Sequence, residues 1–130
     1  MTAKARILVL GQDVNTVDYT NPALPPGMSA ERVTAGLDQA EASLRAQGFE
    51  VDMLQVQPDP DTARAEIEAF MAGKTYAVVV IGAGIRNPPP SLFLFETVVN
   101  AVHRLAPGAR IAFNTRPDDS DVAAVRWVGK

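Results

Sequence analysis

Four runs of β-branched and aliphatic residues alternate with longer segments of helical periodicity, and this alternation constrains the fold more than any other feature. The runs cover residues 7–10, 51–56, 77–81 and 111–113. Strands separated by helices run parallel with right-handed crossovers, so the helices must cover both faces of the sheet. We therefore predict one α/β domain over residues 1–130, a three-layer sandwich with a four-stranded parallel sheet in the order 2-1-3-4.

Capping residues predict where the first two helices begin and end. Ser29 is a good N-cap for the first helix, and Gly48 suits the left-handed residue that ends it. Asp59 followed by Pro60 predicts the start of the second helix, because proline needs no N–H donor at the first helical position. Gly73 ends that helix. The inward stripe of the first helix is predicted to be Val33, Leu37, Ala40 and Leu44.

The last two helices have less regular boundaries. We predict that Asn87 caps the third helix with Pro88 at its first position, and that the helix runs from Leu92 to Leu105. The fourth helix is predicted to begin at Asp118 or Asp119. It is expected to turn Val122, Val125 and Trp127 toward the core.

Composition excludes several classes of function. With 47% hydrophobic and 21% charged residues, the chain is typical of a globular protein and not of a disordered one. The net charge of -3, with basic residues scattered along the chain, argues against binding nucleic acid or an anionic membrane. No apolar run approaches the ~20 residues of a membrane span, and no signal-peptide h-region precedes the first strand. We expect a cytoplasmic protein.

Two residue types limit the chemistry further. The sequence has no cysteine, so disulfides, thiolate nucleophiles, iron–sulfur clusters and thiolate zinc sites are excluded. The single histidine, His103, falls late in the third helix, at the edge of the sheet opposite the predicted site. We therefore expect neither a bound cofactor nor a metal ion.

The third strand breaks into Gly82-Ala83-Gly84, which is typical of a ligand crevice in a parallel sheet. Asn87 stands where the dinucleotide fingerprint needs its third glycine, so that cofactor is not predicted. In the order 2-1-3-4 the crevice lies between the first and third strands, at their carboxyl ends. The candidate binding residues there are Gly11, Gln12, Tyr19, Gly82, Ala83, Gly84, Arg86, Asn87, Asn114, Thr115 and Arg116.

The charged candidates each allow two interpretations. Arg86 and the turn amides could bind an anion, or the glycines could serve packing while Arg86 pairs with Asp13 or Asp18. Arg116 could complete the anion site or neutralise the acidic turn that follows it. Asp13 and Asp18 are the candidates for a catalytic general base, or otherwise are ordinary exposed loop residues.

The connection from Gly11 to Met28 is about three times the usual length of a strand-to-helix loop. Pro22, Pro25 and Pro26 hold much of it extended. It is either a binding loop over the site or an inert insertion.

The third helix is apolar on more than one side. If Leu94, Val98, Ala101 and Leu105 face the sheet, Phe93 points outward with Glu96 and Asn100. This face predicts a homodimer, unless Phe93 packs under a neighbouring loop.

The segments 6–10, 47–51 and 76–80 resemble those of receiver domains and other flavodoxin-like proteins, which implies a flavodoxin-like fold. The paired acids and late lysine of receivers are missing, since Gly11-Gln12-Asp13 follows the first strand and no lysine falls between Lys74 and Lys130. Residues 11–16 supply one hydroxyl where flavodoxins have a Thr/Ser-rich FMN loop. The pattern of residues 81–86, Phe95-Glu96, Val102-His103 and 113–115 is similar to small bacterial proteins of unassigned function.

The leading hypothesis is a flavodoxin-like domain that binds a small anionic metabolite between the loops after the first and third strands. One alternative is a small hydrolase or isomerase that uses Asp13 or Asp18 as general base, with the turn amides stabilising an oxyanion. The other is a non-catalytic interaction module that associates through the third helix.

Overall fold

The computed structural model describes residues 5–22, 24–86 and 91–130. Its four strands are β1 (Arg6–Gln12), β2 (Glu50–Val56), β3 (Val78–Ile81) and β4 (Arg110–Phe113). Its helices are α1 (Ala30–Ala46), α2 (Pro60–Met71), the single turn α3 (Ala83–Arg86), α4 (Leu92–Leu105) and α5 (Ser120–Trp127). Two 3₁₀ turns, Val14–Thr16 and Pro117–Asp119, lie in the loops after β1 and β4.

The sheet has the predicted order and direction. All the described strand pairs are parallel, and the order is β2-β1-β3-β4. The α/β class and the strand order are therefore confirmed. The Gly82 N–H donates to the Leu10 carbonyl at 2.8 Å, so the ends of β1 and β3 are neighbours at the carboxyl edge.

Helices cover both faces of the sheet, as the alternation of strands and helices requires. On one face Ile7, Val9, Val78 and Val80 pack with residues of α1 and α5. On the other face Leu8, Leu10, Val79 and Ile81 pack with residues of α2 and α4. The period of two along each strand sends alternate side chains into these two cores. Gly11 follows the same alternation and belongs to the face of Ile7 and Val9, which α1 covers.

The predicted helix boundaries of α1 and α2 are confirmed. The Ser29 hydroxyl accepts the Arg32 N–H at 3.2 Å, and the Asp59 carboxylate accepts the Thr62 N–H at 2.9 Å. Gly48 and Gly73 have φ of +93° and +73°, the left-handed conformation that glycine adopts at little cost. Ala40 and Leu44 of the predicted inward stripe are buried, and Val33 and Leu37 are partly buried.

The prediction for the last two helices is only partly right. Asn87 and Pro88 lie outside the described residues, and α4 has the predicted bounds Leu92–Leu105. In α5 the inward residues are Ser120, Ala123 and Ala124. The prediction that Val122, Val125 and Trp127 face the core is wrong, because Val122 is 60% exposed and the other two are about 40% exposed. Two alanines fit the close approach of a short helix to the sheet better than larger side chains would.

Candidate functional site

A cavity of about 110 Å³ lies at the carboxyl edge of the sheet, beside Gly11 and Gly82. Four segments line it: the loop after β1, the first half of α1, the turn after β3 and the loop after β4. It thus lies at the switch point between β1 and β3, where ligands bind in open α/β sheets. The predicted residues that line it are Gly11, Gln12, Tyr19, Gly82, Ala83, Gly84, Asn114, Thr115 and Arg116.

The absence of a side chain at Gly11 leaves this space open. A Cβ built on Gly11 would meet no atom within 4 Å, and alternation along β1 directs it toward α1. Val33 and Leu37 of α1 form the facing wall. A void of about 30 Å³ beside Val9, Gly11 and Leu37 continues beneath the cavity.

Hydrogen bonds within the loop after β1, and one from Gln57 after β2, hold this loop in place. The Asp13 carboxylate accepts the Asn15 N–H at 2.9 Å and the Gln57 side-chain amide at 3.1 Å. The Tyr19 hydroxyl donates to the Val14 carbonyl at 2.7 Å, which holds the tyrosine ring against the cavity. Burial raises the pKa of Tyr19, so its hydroxyl stays neutral and remains a donor near pH 7.

Asp18 is exposed and its carboxylate is engaged locally. It accepts hydrogen bonds from the Thr20 hydroxyl and from the Thr20 N–H. These bonds lower the pKa of Asp18 and so weaken it as a base. Asp13 and Asp18 are not among the described residues that line the cavity.

Most of the backbone N–H groups in the turn after β3 donate hydrogen bonds to other groups of the protein. The Gly82 N–H donates to Leu10, and the Ala83 N–H donates to the Asn114 side-chain oxygen at 2.7 Å. Ile85 is fully buried and anchors the single turn α3. The cavity wall at this point is a fixed backbone surface.

Buried Asn114 joins the turn after β3 to the loop after β4. Its side-chain oxygen accepts from Ala83, and its amide nitrogen donates to the Ser120 hydroxyl at 2.9 Å. The Ser120 hydroxyl in turn donates to the Pro117 carbonyl at 2.8 Å. Asn114 and Ser120 are 3% and 0% exposed, so this polar network is shielded from solvent.

Arg86 lies behind Asn114 and not among the described residues of the cavity wall. Its Nη2 donates to the Asn114 carbonyl at 2.9 Å, and its guanidinium carbon lies 5.4 Å from the centre of the Phe113 ring. Its Nη1 is buried and has no hydrogen-bond partner among the described residues. The ion pairs of the described residues do not join Arg86 to Asp13 or Asp18. Arg86 therefore contacts the loop after β4 and the ring beside it.

Asp119 fixes the loop that carries Thr115 and Arg116. Its carboxylate accepts the N–H groups of Thr115 at 3.0 Å and Arg116 at 3.2 Å, together with the Thr115 hydroxyl. Partial burial acts to raise the pKa of Asp119, but these hydrogen bonds outweigh it and hold the pKa below its usual value.

Arg116 is the basic residue among the described lining residues. Its Nε donates to Asp118 at 2.7 Å, which matches the prediction that it neutralises the acidic turn. Its two terminal nitrogens make no hydrogen bond to a described residue. The guanidinium therefore keeps two donor groups available at the rim of the cavity.

No protein-family model matches the chain, and no curated protein matches it. A solved structure has a similar fold. It is the radical S-adenosylmethionine methyltransferase TsrM from Kitasatospora setae, with a tryptophan substrate and the analogue aza-SAM bound. The TM-score is 0.55 at 18% sequence identity, over 85% of this chain and 19% of that chain. At this identity the similarity shows a shared fold.

Sequence reasoning missed the apolar walls of the cavity. Besides the predicted residues, its lining includes Val14, Val17, Leu24, Pro25, Met28, Val33, Leu37 and Pro117. The many apolar residues and prolines in the long loop after β1 could have indicated these walls, because apolar side chains in a loop are more favourable when they are buried against a cavity than when they are exposed to water.

A second missed signal is Gly36, which lies in the interior of α1, where glycine is unfavourable. A Cβ there would lie 3.0 Å from the Pro117 Cβ and 3.1 Å from the Asp118 nitrogen. Gly36 thus allows the 3₁₀ turn after β4 to pack directly on α1 and to close one side of the cavity.

Two classes of feature are missing from the part of the chain that the structure describes. It contains no helix long and apolar enough to cross a membrane. It also contains no cluster of three or more acidic or histidine side chains arranged to hold a metal ion.

Proposed function

We propose that the chain binds a small anionic metabolite in the cavity between the loops after β1 and β3. The observation that supports this most directly is the cavity itself, which Gly11 leaves open at the switch point of a parallel sheet. Its walls are mainly apolar, and Arg116 supplies a cation at the rim. This combination of apolar walls with few polar groups is typical of small-molecule sites.

The positions of the carboxylates favour binding over hydrolysis or isomerisation. A general base must reach the proton that it removes, either directly or through one water molecule. Asp13 caps the 3₁₀ turn after β1 and accepts from Gln57, and Asp18 is occupied by Thr20. Both carboxylates are therefore engaged outside the cavity wall.

We also propose that the chain forms a homodimer through the outer face of α4, which we define by Phe93, Glu96 and Asn100. Phe93 is 66% exposed, and Leu92 beside it is 62% exposed. Two large apolar side chains in a row are an unusual surface for a helix in solution, and symmetric dimers are the commonest assembly.

The substitution Gly11→Val tests the binding proposal. Valine suits a strand, and its side chain would enter the cavity without meeting described atoms at Cβ. We expect at least one member of a panel of small carboxylates and phosphates, screened by protein NMR, to shift the amide signals of Gly11, Gly84 and Thr115 in the wild type. Gly11→Val should abolish the response of Gly84 and Thr115.

Gly108→Val is the matched control. Gly108 precedes β4, at the opposite edge of the sheet, and a Cβ there also meets nothing within 4 Å. This variant should bind the same compounds as the wild type does. Shifts that persist in Gly11→Val, or an absence of any response in the wild type, would remove the cavity as a binding site.

A further inference from the structure

We infer that the molecule bound in the cavity is a small apolar monocarboxylic acid, and that the free end of Arg116 binds its carboxylate. The carbon body is one ring or a short branched chain. This inference rests on the proposed function and narrows it from anionic metabolites in general to one chemical class.

The size of the cavity limits the carbon body. The volume is about 110 Å³. An apolar protein cavity of roughly 150 Å³ holds a benzene molecule, whereas sites for drug-sized ligands span roughly 300–1,000 Å³. The cavity volume is of the same order as that of the benzene site, and the cavity is open at its rim. Its size therefore favours a single ring or a branched chain of a few carbons over a nucleotide or a sugar phosphate.

The walls require that this body be apolar. Val14, Val17, Leu24, Met28 and Leu37 contribute aliphatic or thioether surface, and Tyr19 contributes the side of its ring. A hydroxyl or amide placed against these walls would lose its hydrogen bonds to water without replacement, which is costly. A polyhydroxylated ligand is therefore disfavoured.

The polar side chains at the cavity leave few positions for a charged group. Gln12 donates to Thr16, the Thr115 hydroxyl donates to Asp119, and both ends of the Asn114 amide are bonded inside the protein. Arg116 differs from them, because only its Nε is engaged. The two terminal nitrogens can donate in parallel to the two oxygens of a carboxylate.

The surroundings of Arg116 favour a single negative charge. Asp118 and Asp119 both hydrogen-bond to the Arg116 residue, so two carboxylates already lie beside this cation. A phosphate monoester carries about -1.5 to -2 charges at pH 7 and would be repelled more strongly than a carboxylate. The apolar body of a carboxylic acid adds affinity that a free phosphate lacks.

Calorimetry at low ionic strength with benzoate, benzyl alcohol and inorganic phosphate tests the assignment. Benzoate and benzyl alcohol share a ring of the required size and differ in charge. We expect benzoate to bind roughly tenfold more tightly than benzyl alcohol, since a charge-assisted pair contributes about that factor, and we expect phosphate not to bind. Arg116→Ala and Arg116→Gln should reduce benzoate affinity to that of benzyl alcohol.

Arg126→Ala is the control for loss of a positive charge, because Arg126 is exposed on α5 and is not among the described residues that line the cavity. It should bind benzoate as the wild type does. Arg116 is exposed, so neither substitution at this position should disturb the fold. Circular dichroism of both Arg116 variants checks that any loss of binding is not a loss of folding.

The outcomes distinguish this inference from the proposed function. If benzyl alcohol binds as tightly as benzoate, or if phosphate binds more tightly than benzoate, the acid class is wrong. If both Arg116 variants keep full affinity for benzoate, the assignment of the carboxylate to Arg116 is wrong. In these cases the cavity is still a binding site when Gly11→Val abolishes the binding that is observed. If neither ring compound binds the wild type, the inference fails, and the proposed function fails with it when the NMR panel of carboxylates and phosphates also gives no response.

Discussion

Asn114 connects three segments around the cavity through its side chain and its backbone carbonyl. Its amide bonds the turn after β3 through Ala83 and bonds the start of α5 through Ser120. Its backbone carbonyl accepts from Arg86 behind the cavity. Because Asn114 is 3% exposed, removing its amide would take the acceptor from the Ala83 N–H and the donor from the Ser120 hydroxyl in a site shielded from solvent, whereas the bond from Arg86 to the backbone carbonyl would remain.

We expect Asn114→Ala to lower the free energy of unfolding by about 1–3 kcal/mol, since it leaves the part-buried Ala83 N–H without its acceptor. Urea denaturation measures the change. The control is Asn15→Ala, which removes an exposed asparagine side chain in the loop after β1 and should change stability by less than about 0.5 kcal/mol. Equal effects of the two substitutions would contradict the structural role of Asn114.

For individual residues, the sequence predicted the position of the backbone better than the contacts of the side chain. Asn114, Thr115 and Arg116 were candidates because they follow β4, and all three line the cavity. Asp13, Asp18 and Arg86 were chosen by the same reasoning, but their side chains are engaged elsewhere. A strand end fixes where a backbone lies. The direction of a long or polar side chain depends on partners that are distant in the sequence, such as Gln57 for Asp13.

The conformation of the loop after β4 is held by hydrogen bonds to one ionised group, the carboxylate of Asp119. The hydrogen bonds from Thr115 and Arg116 favour the carboxylate form of Asp119 and hold its pKa below the usual 3.8. A depressed folded-state pKa stabilises the fold above the unfolded-state pKa, and this contribution is lost as the pH falls through the lower value.

We therefore expect wild type and Asp119→Asn to differ in stability at pH 6, and the difference to shrink progressively as the pH falls below about 4. Urea denaturation at several pH values measures this difference. Asp38→Asn, which removes an exposed carboxylate on α1, corrects for the general loss of a negative charge. A difference that does not shrink at all between about pH 4 and about pH 2.5 would show that the ionised carboxylate of Asp119 does not stabilise the loop.

Helix starts were predicted where a capping signal is strong, as at Ser29 and Asp59. The orientation of α5 was not predicted, because residues 120–127 offer two apolar faces and hydrophobicity favours the one with valines and tryptophan. The structure buries the alanine face. Which face of a short helix is buried depends on its packing against the rest of the domain, and the local pattern of residues does not determine it.

For the whole molecule, the alternation of strands and helices limited the possible strand orders, and the order 2-1-3-4 that we chose among them is confirmed. Parallel strands with right-handed crossovers leave few topologies, and the neighbouring positions of Gly11 and Gly82 follow from the one observed here. The cavity volume could not be predicted in this way. It depends on how the long loop after β1 and the 3₁₀ turn against Gly36 close over the edge of the sheet.

The dimer proposal is also tested on the whole molecule. We expect sedimentation at tens of micromolar to show a dimer, and Phe93→Glu to shift it toward the monomer with the fold intact, because a buried carboxylate at the interface is unfavourable. Val122→Glu places the same charge at an equally exposed apolar residue on α5 and should leave association unchanged. A monomeric wild type, or equal effects of both substitutions, would remove the proposed interface.

Trp127 is the only tryptophan in the chain, and it lies at the end of α5 with 41% of its surface exposed. This position determines which structural changes the tryptophan fluorescence can report. An indole that is partly solvated in the folded state changes its emission only modestly on unfolding, and it responds first to the loosening of the C-terminal helix. The aromatic ring at the cavity belongs to Tyr19. Ligand titrations are therefore better followed through tyrosine or amide signals than through tryptophan emission.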